Sequence, residues 1–411
     1  MLVSQLTKLT LDIQGFRVGR VQGDTSGITV DIAPDRRHLL FCSRCGGAAK
    51  YRDTLTIRYF RHVPLWGIPV WLRYSPRRVR CGHCGVKVEY FPWSTGKHRF
   101  TTAFAHFLAS WARLLPWKHV AQLFGCSWGT VAAAVDQIVE YGLAHQDLSN
   151  LTHIGIDEIS REKGQVYLTN VYDLNTSRLV WSGEKRTKAT ITNFFTSLGP
   201  SKTDKLEGVC CDMWEPYTQV VQDKAPKATM VFDKFHIVRH LNEAVDQVRR
   251  DEIREKGQKH KDLVKDTRYI WLKNPWNLTD KQASRLSALE KLNLKINRAY
   301  LLKESFRQFW SYECRTSAKD FLDKWFWWAT HSRLKPMRNF AWMLRRKEEN
   351  ILSYFDMPIS NGSVEGLNNK AKVISHRAYG FRSAKNYIRN LYHCMGGLPE
   401  PQIRFLTQIC A

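Results

Sequence analysis

Residues 360–372 read SNGSVEGLNNKAK, and the reading of this stretch decides the fold. If it is helical from about Asn361, then Asn361, Glu365, Asn368 and Lys372 lie four, three and four residues apart and stack on one face. A carboxylate, two amides and an ammonium do not make a packing stripe, which is apolar. They make either a solvated face or an edge that grips something charged. Ser360 and Asn361 are suited to cap the helix. Glu365 then falls in the first turns, where the helix dipole favours an anion or a carboxylate beside a metal.

Partners for such a glutamate have to come from upstream. From about residue 150, HIGID reads as a short strand ending in Asp157, followed by strands at QVYLTNVYD and RLVWS. Turn residues Asn175, Thr176 and Ser177 separate the last two. A helical pattern over 187–198 precedes LEGVCCD, a buried strand ending in Asp212. WEPYTQVVQDKA is helical, and ATMVFD is a strand ending in Asp233. The order is βββαβαβ. A single aspartate at a strand end is usually a turn former, but three in one alternating unit can converge on one sheet edge.

Between Asp233 and the opening stretch lies a long helical region, basic and rich in tryptophan: Trp271, Trp276, Trp310, Trp325, Trp327, Trp328 and Trp342. Most of these are expected in the core, with WFWWAT as one buried turn. One or two are candidates to stack on an unpaired base.

Residues 1 to about 95 alternate apolar and polar residues between Gly and Pro punctuation, which reads as β structure. Cys42 and Cys45, then Cys81 and Cys84, form two CxxC pairs with 35 residues between them. Each pair is followed by Gly, as in a zinc knuckle that turns its backbone amides toward sulfur. Four thiolates close a tetrahedral Zn2+ site; two redox disulfides are the alternative. Arg73, Arg77, Arg78 and Arg80 crowd the second knuckle, either to touch phosphates or to protect a solvated β-edge by charge. From about Phe100 the period turns helical. WKHVAQLFGCSWGTVAAAVDQIVEYG has the pattern of a helix-turn-helix, with a turn at Gly125 and Cys126 and Ser127 as N-cap. Its second helix would offer Ser127, Trp128 and Thr130 to a major groove. Past the opening stretch, Arg377 and Arg382 continue the basic surface as further DNA contacts.

The 411 residues carry 63 basic and 38 acidic side chains, a formal charge of +25. That excess points to a polyanion, and double-stranded DNA fits better than a membrane surface. No apolar run is long enough to span a bilayer, and MLVSQLTKLTLD lacks the pattern of a signal peptide, so a cytoplasmic, nucleoid-associated protein is expected. No phosphate-binding Gly-rich loop and no GxSxG elbow is present, which argues against an ATPase or a serine hydrolase.

Asp157, Asp212 and Glu365 are the catalytic candidates. Hard carboxylate oxygens at incompletely filled sites suit two Mg2+ ions, with Mn2+ as substitute. Such ions activate a water or a 3′-hydroxyl on one side of a phosphodiester and stabilise the leaving oxygen on the other. Asp233 competes with Asp212 for the second position. Asp212 is the preferred of the two. Asp233 and His236, with Asn361, Asn368 and Lys372, are then supporting residues.

IGIDE at 154–158, CCDMWEPY at 210–217, VFDKFH at 231–236 and ISNGSVEGLNNKAK at 359–372 stand in order behind the double CxxC and the helix-turn-helix. Together they closely resemble the DDE transposases of bacterial insertion sequences, specifically the group with a zinc-binding N-terminus. The resemblance covers nearly the whole chain and implies a multidomain α+β architecture. A zinc-binding β domain would occupy 1–97 and the helix-turn-helix 98–148. An RNase H-like α/β catalytic domain would begin over 149–238, be interrupted by an all-α insertion over 239–352, and close over 353–411 with the Glu365 helix. By position Asp157, Asp212 and Glu365 match the family's catalytic triad, Asp212 rather than Asp233 because the implied RNase H-like order puts the second carboxylate after the fourth strand. The resemblance further implies nicking at terminal inverted repeats, attack of the freed 3′-hydroxyl on target DNA, and a homo-oligomer, at least a dimer, on DNA. A zinc and helix-turn-helix DNA-binding regulator with an inactive RNase H-like scaffold, or a structure-specific nuclease, are the alternatives.

Overall fold

The computed structural model describes residue 13 and residues 15–35, 39–162 and 166–401. The start MLVSQLTKLTLD, on which the absence of a signal peptide was argued, lies outside them. No helix among the described residues is long and apolar enough to cross a membrane. By contact the chain groups into two units: residues up to Gln146 together with those from Ile374 onward, and Asp147–Val373.

In the first unit, β1 (Phe16–Asp24), β2 (Gly27–Pro34), β3 (Lys50–Thr54), β4 (Arg58–Leu65), β5 (Ile68–Tyr74), β6 (Arg77–Cys81) and β7 (Gly85–Val88) make two sheets. Their orders are β1-β2-β5-β4 and β3-β6-β7. Alternation decides which face is buried: Val70, Leu72 and Tyr74 of β5 turn inward with Phe16, Val30, Ile32 and Phe60, and Phe91 and Trp93 close the cluster. The Phe16 and Tyr74 rings meet Trp93 edge-on at 4.7 and 5.3 Å, the geometry that aromatic quadrupoles favour.

Helices α1 (Thr102–Leu114), α2 (Trp117–Leu123) and α3 (Trp128–Ala144) follow. The Thr101 hydroxyl accepts the Phe104 amide at 3.1 Å, and Ser127 accepts from Thr130 at 3.0 Å. Both satisfy amides that a helix start leaves orphaned. Between α2 and α3 the chain reverses at Gly125, whose φ of +56° an L side chain rarely adopts. On α3, Val131, Ala134, Val135, Ile138 and Val139 recur at helical spacing and are buried. The closing helix Ala384–Met395 packs on α3, where Arg389 pairs with Asp136 and with Glu140.

The second unit holds β8 (His153–Glu162), β9 (Val166–Asp173), β10 (Arg178–Glu184), α4 (Lys188–Leu198), β11 (Gly208–Cys211), α5 (Glu215–Lys224), β12 (Thr229–Phe232) and α6 (Lys234–Lys256). Strand order is β10-β9-β8-β11-β12. The first three strands pair antiparallel, and β11 runs parallel to both β8 and β12. One expectation is corrected: Asp157 does not end its strand. β8 continues five residues past it, because the segment after Asp157 stays paired with the start of β9 out to Glu162 and Val166.

From α6 onward the chain is helical through Asp356. Ile237, Leu241 and Val245 of α6 join sheet and helices in one continuous core. The tryptophan expectation fails in part. Trp271 and Trp325 are fully buried, but Trp276, Trp327, Trp328 and Trp342 are exposed. The WFWW run lies in α7 (Arg315–His331), and four consecutive residues face all around a helix, so only Trp325 is buried, with Phe326 packed partly against the core. The polar stretch forms α8 (Gly362–Arg377).

Candidate active site and metal centre

Parallel pairing sets Cys210 beside Gly155 and Cys211 beside Phe232. Carried forward along the strands, these registers bring Asp212 level with Asp157 on one side and Asp233 on the other. Three aspartates thus stand abreast on three neighbouring strands. The Asp212 carboxylate accepts the Met213 amide at 2.6 Å, and that of Asp157 accepts the Glu158 amide at 2.8 Å.

The start of α8 is fastened to this row. The Asn361 amide nitrogen of the backbone donates to Asp233 Oδ1 at 3.3 Å, and its side-chain Nδ2 donates to the Ile156 carbonyl at 3.2 Å. Two turns on, Asn368 Nδ2 donates to Asp157 Oδ2 at 2.6 Å. Asn368 Oδ1 accepts from the Tyr172 hydroxyl at 2.8 Å, which in turn accepts from Asn170 at 3.0 Å, and Asn170 accepts from Ser182 at 2.7 Å. This relay crosses β8, β9 and β10. Close approach is possible because residue 155 is glycine: a Cβ there would lie 2.5 Å from Asn361 Oδ1 and 3.0 Å from Val364 Cγ2.

The four-residue stripe is therefore a boundary, not one gripping edge. Asn361 and Asn368 are buried at its inner side with Val364 and Ala371, while Glu365 and Lys372 are exposed at its outer side. Glu365 is not gathered with the aspartates into one ligand cluster. Among the described residues, the four cysteines are the one group of three or more such side chains with ligand atoms within 4.8 Å of one another.

His236, in the first turn of α6, sits amid the row, 3.8 Å from Asp157, 3.7 Å from Asp212 and 3.9 Å from Asp233. Burial works against its imidazolium, but the facing carboxylates of Asp157, Asp212 and Asp233 prevail and raise its pKa. Burial pushes the Asp233 carboxyl up, with His236 pulling it back. Two residues not singled out from sequence complete the site. Glu158 points away from Asp157, as strand alternation requires, yet it does not leave the acidic region. Arg186 bridges it to Asp212, with 3.0 Å to each carboxylate, and the Tyr217 hydroxyl donates to it. Burial pushes Glu158 up; Tyr217 and Arg186 oppose that. Arg186 follows β10 in GEKRTK, where nothing in the sequence distinguishes it from a surface cation.

Asp157, Glu158, Asp212 and Asp233 thus face His236 and Arg186, a surplus of negative charge. Its all-oxygen donors suit a hard divalent cation. Asp157, Asp212 and Asp233 supply the aspartate oxygens there, and Glu365 is exposed on the outer side of α8.

In the first unit, Cys42 and Cys45 lie in a turn ahead of β3, and Cys81 and Cys84 flank the β6–β7 turn. Gly46 and Gly85, one after each pair, take φ of +68° and +70°. The Arg44 amide approaches Cys42 Sγ at 3.5 Å. Cys45 and Cys81 Sγ are 3.6 Å apart, close to the ~3.8 Å edge of a tetrahedron with Zn–S bonds of about 2.3 Å. Backbone amides of Cys45 and Arg44 lower the Cys42 thiol to about 7, and the adjacent sulfurs push Cys84 up to about 12. Four sulfurs this close cannot all ionise without a cation, so the set fits zinc. His62 is buried elsewhere, bonded to Thr101 at 2.9 Å.

Of the four knuckle arginines, Arg73 forks onto Asp31, Arg78 onto Asp53 and Arg77 onto buried Glu89. Arg80 is exposed. Ser127 caps α3, Thr130 supplies the capped amide, Trp128 is half exposed, and Arg377 donates to the Arg113 carbonyl at 2.5 Å. Arg382 is exposed.

The family model for ISL3-type DDE transposases, described as a transposase, matches residues 154–391. The chain is 28% identical over 380 residues to the transposase for insertion sequence element IS1001 of Bordetella parapertussis, covering 91% of this chain and 94% of that protein. It is 30% identical over 391 residues to the transposase for insertion sequence element IS1557 of Mycobacterium tuberculosis, covering 89% and 88%, in each of two strains.

Proposed function

The chain belongs to the DDE transposases of insertion sequences, and from that premise we propose that it binds the terminal inverted repeats of its element and catalyses Mg2+-dependent cleavage and strand transfer. The observation that carries this reading is the fastening of α8 to the aspartate row, through Asn361 on Asp233 and Asn368 on Asp157. It supports an RNase H-like catalytic domain in which the sheet supplies Asp157 and Asp212 and a helix returning after the insertion supplies Glu365. The strand order, three antiparallel strands followed by two parallel ones, supports the same reading.

In this mechanism Asp157, Asp212 and Glu365 would hold two Mg2+ ions, and the chemistry such ions would supply is activation of a water or 3′-hydroxyl and charge stabilisation at the leaving oxygen. Asn368 fixes the rotamer of Asp157 and keeps one lone pair of Oδ2 occupied. Arg186 offsets the charge of Glu158 and Asp212 from the far side. His236 and Asp233 brace the row. Lys372, exposed one turn beyond Asn368, neutralises a neighbouring phosphate. Cys42, Cys45, Cys81 and Cys84 hold a structural Zn2+, and α2 with α3 reads the end sequence. The working form is a DNA-bound homo-oligomer in the bacterial cytoplasm.

The test is cleavage and joining of a duplex carrying the element's ends in Mg2+. Asp157→Ala and Glu365→Ala should abolish both reactions and keep end binding. Undiminished cleavage in either variant would remove that residue from the site, and cleavage without any joined product in the wild type would make the protein a nuclease.

A further inference from the structure

We infer that an open cleft within the first unit, where the helix-turn-helix meets the segment 377–390, takes one unpaired nucleotide of the bound DNA. The cleft measures about 800 Å3, within the ~300–1,000 Å3 common to ligand pockets. Its lining is both aromatic and cationic, with Trp128, Tyr379 and Phe381 beside Lys118 and Arg382, and with no aspartate or glutamate.

Two of its rings are already committed to the protein. Trp117, buried, stands against Trp128 at 5.4 Å, and Phe381 stacks on Tyr387 at 4.9 Å with 10° between the planes. Trp128 and Tyr379 keep free surface, with exposures of 46% and 91%. Tyr379 is held out by the backbone. Its φ is +56°, a conformation costly for a bulky residue, and it is fixed by its amide on the His376 carbonyl at 3.0 Å and the Gly380 amide on Ser375 at 2.8 Å. A strained, solvent-facing tyrosine in a helix-terminating turn contributes nothing to the core; strain of this kind concentrates at binding sites.

The chemistry selects the ligand. Cations call for a phosphate, and free aromatic faces call for a flat ring. A base paired within a duplex offers only its edges in the grooves, so its faces are out of reach. Only a base outside the stack can lie against Trp128 or Tyr379 while its phosphate meets Lys118 and Arg382. The Asn386 side chain, also in the lining, can bond a base edge.

This inference rests on the reading that the chain binds DNA. The test is fluorescence anisotropy with the full chain, using a labelled 12-residue oligothymidylate, a fully paired duplex of the same length, and that duplex with one bulged thymidine. Wild type, Tyr379→Ala, Tyr379→Phe and Trp128→Ala are compared at matched salt, with thermal melts to establish folding. Tyr379→Ala should weaken the oligothymidylate and the bulged duplex roughly 5- to 100-fold, leave the paired duplex unchanged, and be rescued by Tyr379→Phe. Equal loss on all three probes, or no loss in both Tyr379→Ala and Trp128→Ala, overturns the nucleotide site. A wild-type chain that binds none of the three overturns the DNA-binding reading itself, and the site with it.

Discussion

Asn368 and Asp157, 211 positions apart in the chain, are joined by a 2.6 Å hydrogen bond from Nδ2 to Oδ2. Both amide ends of Asn368 are used, since its Oδ1 accepts from Tyr172, so the amide cannot rotate without breaking the relay. Outer partners of this kind typically carry 10- to 100-fold in metal affinity or activity. Asn368→Leu should therefore raise the Mg2+ concentration needed for half-maximal cleavage by about that factor, with end binding intact. A Mg2+ titration identical to wild type would reduce Asn368 to a packing residue.

Asp212 and Asp233 flank one strand register and invite confusion as the second acid. Asp233 already accepts the Asn361 backbone amide, whereas Asp212 pairs with Arg186 beside Glu158. We expect Asp212→Asn to lower cleavage by at least ~1,000-fold, as loss of a metal ligand does, and Asp233→Asn to cost ~10- to 100-fold together with a lower melting temperature. The reverse order, measured on the same substrate, would exchange their roles.

Gly155 fixes how near α8 lies to β8. An added methyl would meet Asn361 Oδ1 at 2.5 Å and Leu174 Cδ2 at 2.8 Å. Gly155→Ala should destabilise the fold by about 1–3 kcal/mol and lower activity further than the melting shift explains, because Asn361 and Asn368 move with the helix. A variant with wild-type melting and cleavage would mean that the helix yields freely.

Acid should loosen the first unit before the carboxylates titrate. Burial holds His62 at about 4 and His393 at about 3, both below the ordinary value of about 6.5. Their folded values are depressed, so the unfolded chain takes up protons first as pH falls. The stability contributed is complete above about pH 6.5 and is lost downward toward the folded values, at up to ~1.4 kcal/mol per pH unit for each ring. Neither ring nitrogen of His393 has a hydrogen-bond partner among the described residues. His393→Leu should flatten the slope of melting temperature against pH between 6.5 and 5. An unchanged slope would refute this origin.

The cysteine cluster predicts one zinc per chain. Strong chelation should release it and collapse the knuckle sheet, read as zinc appearing in a colorimetric assay together with loss of near-ultraviolet dichroism from the Phe91 and Trp93 cluster. Cys42→Ser should purify with less metal. Full structure in a metal-free chain would leave the cysteines a reducible thiol cluster.

Much of this was legible in the sequence because it rests on local chemistry. The CxxC-Gly pairs, the Ser127 cap and the βββαβαβ order follow from spacing and from residue type, and each is present. What escaped depends on partners far away in the chain. Arg186 and Glu158 become site residues only once β11 is laid beside β8. The arginines of the second knuckle read as free charge until Asp31, Asp53 and Glu89 are folded against three of them. The tryptophans misled for another reason: large aromatic area favours burial on average, while a helix offers the core only one stripe.

The Asn361 amide meets Asp233 across 128 positions, so the whole helical region between them is a loop tied off at the aspartate row. Closing it costs about 2 kcal/mol more than closing one of ~16 residues, since each doubling of length adds ~0.6 kcal/mol. Contacts of such long range form late. A nascent chain can thus form its cysteine knuckles and pair its aspartate-bearing strands before the segment 361–395 emerges, which then fastens α8 to the sheet and packs the closing helix on α3. Asp233 and Asp157 stay without their Asn361 and Asn368 partners until the chain is nearly finished.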